Sequence, residues 1–140
     1  MKMFLMDLKS HEKFAFLHLA HFLARIDGYF SQSEQEIIHE YCVEMGIDDI
    51  FFDPSEFDLH KTLQQFKSFQ SQHIVMMELM LLIYSDSEFN EKEHQMITEI
   101  ANFFGIDKAL LERFAKWGEG ASRLFNQGKM LIQTPRTNCS

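Results

Sequence analysis

The sequence predicts an all-α protein of six to seven helices, arranged as two pseudo-symmetric helical hairpins around one core. Three observations carry this. Apolar residues recur at helical spacing in several long segments. Helix-breaking residues are scarce: the chain has 6 Gly and 2 Pro in 140 residues, and Pro54 and Pro135 both lie outside those segments. A 25-residue pattern also occurs twice. Residues 24–48 and 83–107 align without a gap and share Asp27/Asp86, Phe30/Phe89, Glu34/Glu93, Ile38/Ile97, Glu40/Glu99 and a closing Gly-Ile-Asp. Eight identities at one fixed offset support an internal duplication.

The elements follow in chain order. MKMFLMDL can form a short helix. Ser10 is a candidate cap for HEKFAFLHLAHFLARI, in which Phe14, Leu17, Ala20 or His21, and Ala24 recur at helical spacing. That helix stops at Asp27-Gly28, where Gly accommodates a left-handed turn. Ser31 opens the next helix, with an apolar stripe of Ile37, Ile38, Tyr41, Cys42 and Met45, and Gly46 ends it. A turn at Asp53-Pro54 leads to a shorter helix from Glu56 to Phe69. Ser71 opens the helix of IVMMELMLLIY, residues 74–84, and Asp86-Ser87 closes it. This run is well short of the ~20 residues that cross a membrane, and Glu78 interrupts it. It reads as a buried central helix, with Glu78 reaching the surface or pairing with His18 or His21. Asn90 caps a helix whose stripe is Met96, Ile97, Ile100, Ala101 and Phe104, ending at Gly105. DKALLERFAKWGEGASRLFNQ is one more helix, weakened or bent by Gly118 and Gly120. Residues 1–127 thus form one domain containing repeats 10–48 and 71–107, and 128–140 read as a flexible tail. The expected core is Phe14, Leu17, Phe30, Ile38, Tyr41, Leu79, Leu82, Phe89, Ile97 and Phe104.

Net charge is −8, and residues 31–60 alone carry nine Asp and Glu with no Lys or Arg. That balance argues against a nucleic-acid partner, because phosphate binding needs basic residues. It suits a basic protein surface or a cation. Glu36, Glu40 and Glu44 form an i, i+4 series opposite the apolar stripe and are the expected contact surface for a protein partner. Cys42 and Cys139 have no metal-like spacing, and MKMFLMDLKS is too short and charged for a secretory signal, so a reducing cytoplasm is the expected location.

The repeated Asp and Glu admit two readings. Ser31-x-x-Glu34 and Asn90-x-x-Glu93 resemble capping boxes, with Asp27 and Asp86 accepting turn N–H groups and Phe30 and Phe89 as staples. This accounts for nearly every shared residue without a ligand. Alternatively, Asp27, Glu34, Asp86 and Glu93 point inward together and hold a hard divalent cation, Ca²⁺ or Mg²⁺. The loops lack the EF-hand pattern, so such a site draws ligands from both copies. Glu36-x-x-His39 and Glu91-x-x-His94 fit half of a di-iron carboxylate motif, but the duplication does not preserve them. No nucleophile elbow, phosphate loop, dinucleotide fingerprint or zincin motif occurs, so no catalytic residue is assigned.

FLHLAHFLARIDGYFSQSEQEIIHEYCVEMGID and MMELMLLIYSDSEFNEKEHQMITEIANFFGID together resemble the TerB-like family, over roughly residues 10–115. That family includes tellurite-resistance TerB and the N-terminal domain of DjlA-type co-chaperones. The resemblance implies an all-helical, pseudo-symmetric, non-enzymatic adaptor in tellurite, metal or oxidative stress, with an acidic metal site suggested. Ser87 stands where the first copy has Gly28, a departure at the second turn.

Overall fold

The helix built from IVMMELMLLI is the centre of the protein in a computed structural model, which describes residues 4–85 and 90–136. A short 3-10 helix (Leu5–Asp7) is followed by α1 (Ser10–Ala24), α2 (Gln32–Met45), α3 (Leu59–Leu63), α4 (Phe69–Ile83), α5 (Glu91–Phe103) and α6 (Lys108–Gln133). The described residues include no strand. α4 packs against α1, α2, α5, α6 and the 3-10 helix. From Ile74 to Ile83 every side chain except Met77 is buried. Each large apolar side chain so enclosed contributes roughly 2 kcal/mol. Among the described residues, no helix is long and apolar enough to cross a membrane.

The two copies end alike. Gly46 and Gly105 have φ of 69° and 72°, a conformation that needs no Cβ. Behind each, an Ile N–H reaches back five residues: Ile47 to Cys42 O at 3.1 Å and Ile106 to Ala101 O at 2.9 Å. These are the backbone bonds of a Schellman stop, and they satisfy carbonyls the helix leaves open. The shared Gly-Ile-Asp thus has a local cause.

Several boundaries differ from expectation. Lys9, not Ser10, precedes α1, and the Glu12 carboxylate accepts the Lys9 N–H at 2.8 Å. Ser68, not Ser71, caps α4, with Ser71 N–H donating to Ser68 Oγ at 3.0 Å. The helix expected from Glu56 to Phe69 contracts to Leu59–Leu63, capped by Asp58. α6 runs unbroken through Gly118 and Gly120 to Gln133, so residues 128–133 are helix rather than tail. Gly118 lies where a Cβ would stand 2.5 Å from Met80 Cβ. Its role is close approach of α6 to α4, not a bend.

The core contains Leu17, Ile38, Tyr41, Leu79, Leu82, Ile97 and Phe104 as expected, with Phe30 half-buried against it. Phe89 lies outside the described residues. Phe14 is 44% exposed, a correction to the expected core. α1 buries Ala15, Phe16, Leu17, Leu19, Ala20, His21, Leu23 and Ala24. Only a narrow outer strip is left, and Phe14 and His18 share it, four residues apart.

Candidate functional site

The loop after α1 and the start of α5 meet. Gly28 has φ 82°, which turns the chain so that Asp27 Oδ1 accepts the Tyr29 N–H at 2.9 Å. Asp27 Oδ2 accepts from Asn90 Nδ2 at 2.6 Å, across 63 residues. Asn90 also caps α5, its Oδ1 accepting the Glu93 N–H at 3.0 Å. The predicted capping box of α2 is complete: Glu34 N–H donates to Ser31 Oγ at 3.1 Å, and Ser31 N–H donates to Glu34 Oε1 at 3.0 Å.

Glu34 and Glu93 are both buried, at 4% and 5% exposure. Burial pushes the Glu34 carboxyl above its ordinary value, and the charge of Asp27 adds to that. The bonds from Ser31 and the neighbouring Glu93 oppose the shift but do not reverse it. Three of the four predicted ligand residues, Asp27, Glu34 and Glu93, therefore belong to one junction between the copies. Asp86 lies outside the described residues. Among those residues, no three His, Cys, Asp or Glu side chains are arranged to hold a metal ion. The His/Glu set is not drawn together either: Glu36, His39 and Glu91 are exposed.

The acidic surface is redrawn. Glu36 is exposed and Glu40 half-exposed, but Glu44 is buried and accepts the Leu5 N–H at 2.9 Å. Successive steps of four residues advance about 40° around a helix, so Glu44 lies about 80° from Glu36 and turns inward. Val43, seven residues after Glu36, holds the outer strip instead and is exposed. Gln32, Gln35, Glu36, His39 and Glu40 line an open groove along it.

Glu78 is a second correction: it does not reach the surface, being only 1% exposed. Its Oε1 accepts the Phe4 N–H at 3.3 Å. Glu44 and Glu78 thus receive consecutive backbone donors of the N-terminal segment. Tyr41 Oη donates to Glu78 O at 2.5 Å and ties α2 to α4. Burial chiefly, with nearby Glu44 adding and the Phe4 bond opposing, raises Glu78 to about 8.

A clasp around His21 was not anticipated. His21 Nε2 lies 2.7 Å from Asp49 Oδ1, and Arg25 Nη1 donates to His21 Nδ1 at 2.5 Å. With Nδ1 accepting, Nε2 carries the proton given to Asp49. Burial lowers the His21 value, which keeps the ring neutral. The Arg25 guanidinium lies 4.2 Å over Phe30, and Phe52 stacks on His21. Burial, together with Asp49, pushes the Cys42 thiol up to about 11, so this cysteine is no thiolate nucleophile. The signal available in the sequence was only a helical i, i+4 His-Arg pair; Asp49 joins it through tertiary folding.

No protein-family model matches the chain, and neither the curated proteins nor the solved structures include a match.

Proposed function

We propose that this chain is a non-enzymatic helical interaction module, an adaptor of TerB-like kind acting in the cytoplasm under tellurite, metal or oxidative stress. Its contact surface is the outer face of α2. The observation that carries the reading is the open groove lined by Glu36, His39 and Glu40, in a stretch with no Lys or Arg from 31 to 60. A strip of one sign gains from a basic partner through electrostatic complementarity and favours fast association. The test is capture of the partner by wild type and by a Glu36→Lys/Glu40→Lys variant, at low and high salt. Charge reversal and salt should each release it. A partner retained under both conditions would place the contact elsewhere.

A second reading, a small Ca²⁺- or Mg²⁺-binding protein, starts from the buried acids Glu34 and Glu93 and the charge of Asp27 near Glu34. It requires these side chains to rearrange on binding, because no three of the described acidic or histidine side chains are arranged for a metal as they stand. In that case millimolar metal should stabilise wild type against thermal unfolding, by about 2.7 kcal/mol at a hundredfold excess over Kd. Glu34→Gln should remove the effect. Melts that are the same with metal and with chelator would reject this reading.

A further inference from the structure

α6 spans roughly 39 Å at 1.5 Å per residue. Its middle lies along α4, with Gly118 and Ser122 buried there. Its last turns behave differently. Leu124, Met130, Leu131 and Ile132 are 65, 69, 74 and 86% exposed. Residues 120–136 contain Arg123, Lys129 and Arg136 and no Asp or Glu, a net of +3. This helix end is both apolar and basic.

Its neighbour on the surface is the acidic strip of α2. Glu36 and Ile37 form one wall of a recess, Phe125 and Lys129 form the other, and Leu81 lies at its base. The Lys129 ammonium lies 4.6 Å from the Phe125 ring centre, which holds its charge at that wall. One face thus presents an acidic helix and a basic helix end side by side. Such a face is complementary to itself. A two-fold axis between the strips brings each copy's basic α6 end onto the other's acidic α2, so both halves of the contact are satisfied at once. An anionic membrane would suit the α6 end but would repel the acidic strip beside it.

We propose that a second copy of this chain occupies this face, with its α6 end seated along Glu36, Glu40 and Val43. The inference rests on the reading of α2 as a contact surface and names the partner.

Sedimentation equilibrium on the full chain tests it through charge swapping. Wild type should dimerise, and salt should weaken the dimer. Glu36→Lys/Glu40→Lys gives a face that is basic throughout; Arg123→Glu/Lys129→Glu gives one that is acidic throughout. Each variant alone should show a dimer Kd raised about tenfold or more, with unchanged helical circular dichroism. Mixed in equal amounts, they should recover a heterodimer, because both halves of the contact then pair opposite charges. Three results would overturn the proposal: a wild type monomeric up to its solubility limit, dimers that persist in both variants, or a monomer that floats with anionic vesicles through α6. A monomeric wild type that still loses a basic partner on Glu36→Lys/Glu40→Lys would sink the dimer and leave the α2 surface standing.

Discussion

Asn90 Nδ2 donates to Asp27 Oδ2 at 2.6 Å and so bonds one copy of the duplicated pattern to the other. The same side chain caps α5 through its Oδ1. Asn90→Ala should therefore cost more than an ordinary cap, roughly 1 kcal/mol for the cap and roughly 1 more for the bond to a carboxylate. Asn90→Ser retains a capping oxygen and should lose mainly the cross-copy part. A double-mutant cycle with Asp27→Ala, read by urea unfolding, should return a coupling near 1 kcal/mol. A coupling indistinguishable from zero would show that the 2.6 Å contact contributes nothing to stability.

The acid pair at the same junction makes a pH prediction. Glu34 is raised by burial, so the folded chain holds a proton that the unfolded chain releases. Stability from this group is complete below the ordinary carboxyl value and is lost as pH rises through the raised one. Glu34→Gln can still close the capping box with Ser31 and cannot ionise. In chelator-treated buffer the variant should match or exceed wild type at neutral pH and lose its advantage in acid. A variant much less stable at neutral pH would mean that the ionised carboxylate is the stabilising form.

Glu78 makes the same kind of prediction over a wider window. Its carboxyl shifts from 4.5 to about 8, chiefly because it is buried. Its contribution is whole below pH 4.5, declines up to about pH 8, and is flat above. The slope in that window approaches about 1.4 kcal/mol per pH unit, the limit for one proton. His21 and His94, both lowered by burial, change stability in the opposite sense, so the difference between wild type and Glu78→Gln is the quantity to measure. The variant's amide oxygen can still accept the Phe4 N–H. Thermal melts from pH 4 to 9 should show its advantage growing up to about pH 8. Parallel curves would contradict the burial argument.

What the sequence made legible was what is settled locally. The capping bonds of Ser31 with Glu34 and of Asn90 with Glu93, and the helix stops at Gly46 and Gly105, each act within five residues, so their patterns survive in one dimension. The apolar run of α4 announced its own burial. Glu44 and Glu78 were misplaced because their partners are the N–H groups of Leu5 and Phe4, 39 and 74 residues away. Polar side chains with such distant partners look like surface residues in any local window. Asp49 was missed for the same reason, since it meets His21 only when the loop after α2 folds over α1. The candidate ligands Asp27, Glu34 and Glu93 were found because duplication marked them twice, which is a signal of position rather than of chemistry.

The two central glycines of α6 give the sharpest packing test. Both sit inside a continuous helix, and intrinsic propensity favours Ala over Gly at each by about 1 kcal/mol. Their surroundings differ. Nothing lies within 4 Å of a Cβ built at Gly120, whereas one at Gly118 meets Met80 Cβ at 2.5 Å and Met80 backbone carbon at 3.2 Å. Backbone cannot yield as a flexible side-chain end does, so Gly118→Ala has to push α6 away from the helix at the centre of the core. Overpacking of this kind costs about 1–3 kcal/mol, which exceeds the propensity gain. Gly120→Ala should raise the unfolding midpoint, and Gly118→Ala should lower it. Displacement of α6 should also increase hydrogen exchange along Lys108–Gln133 in the Gly118→Ala protein alone. If both substitutions stabilise the chain equally, α6 does not approach α4 as closely as the structure places it.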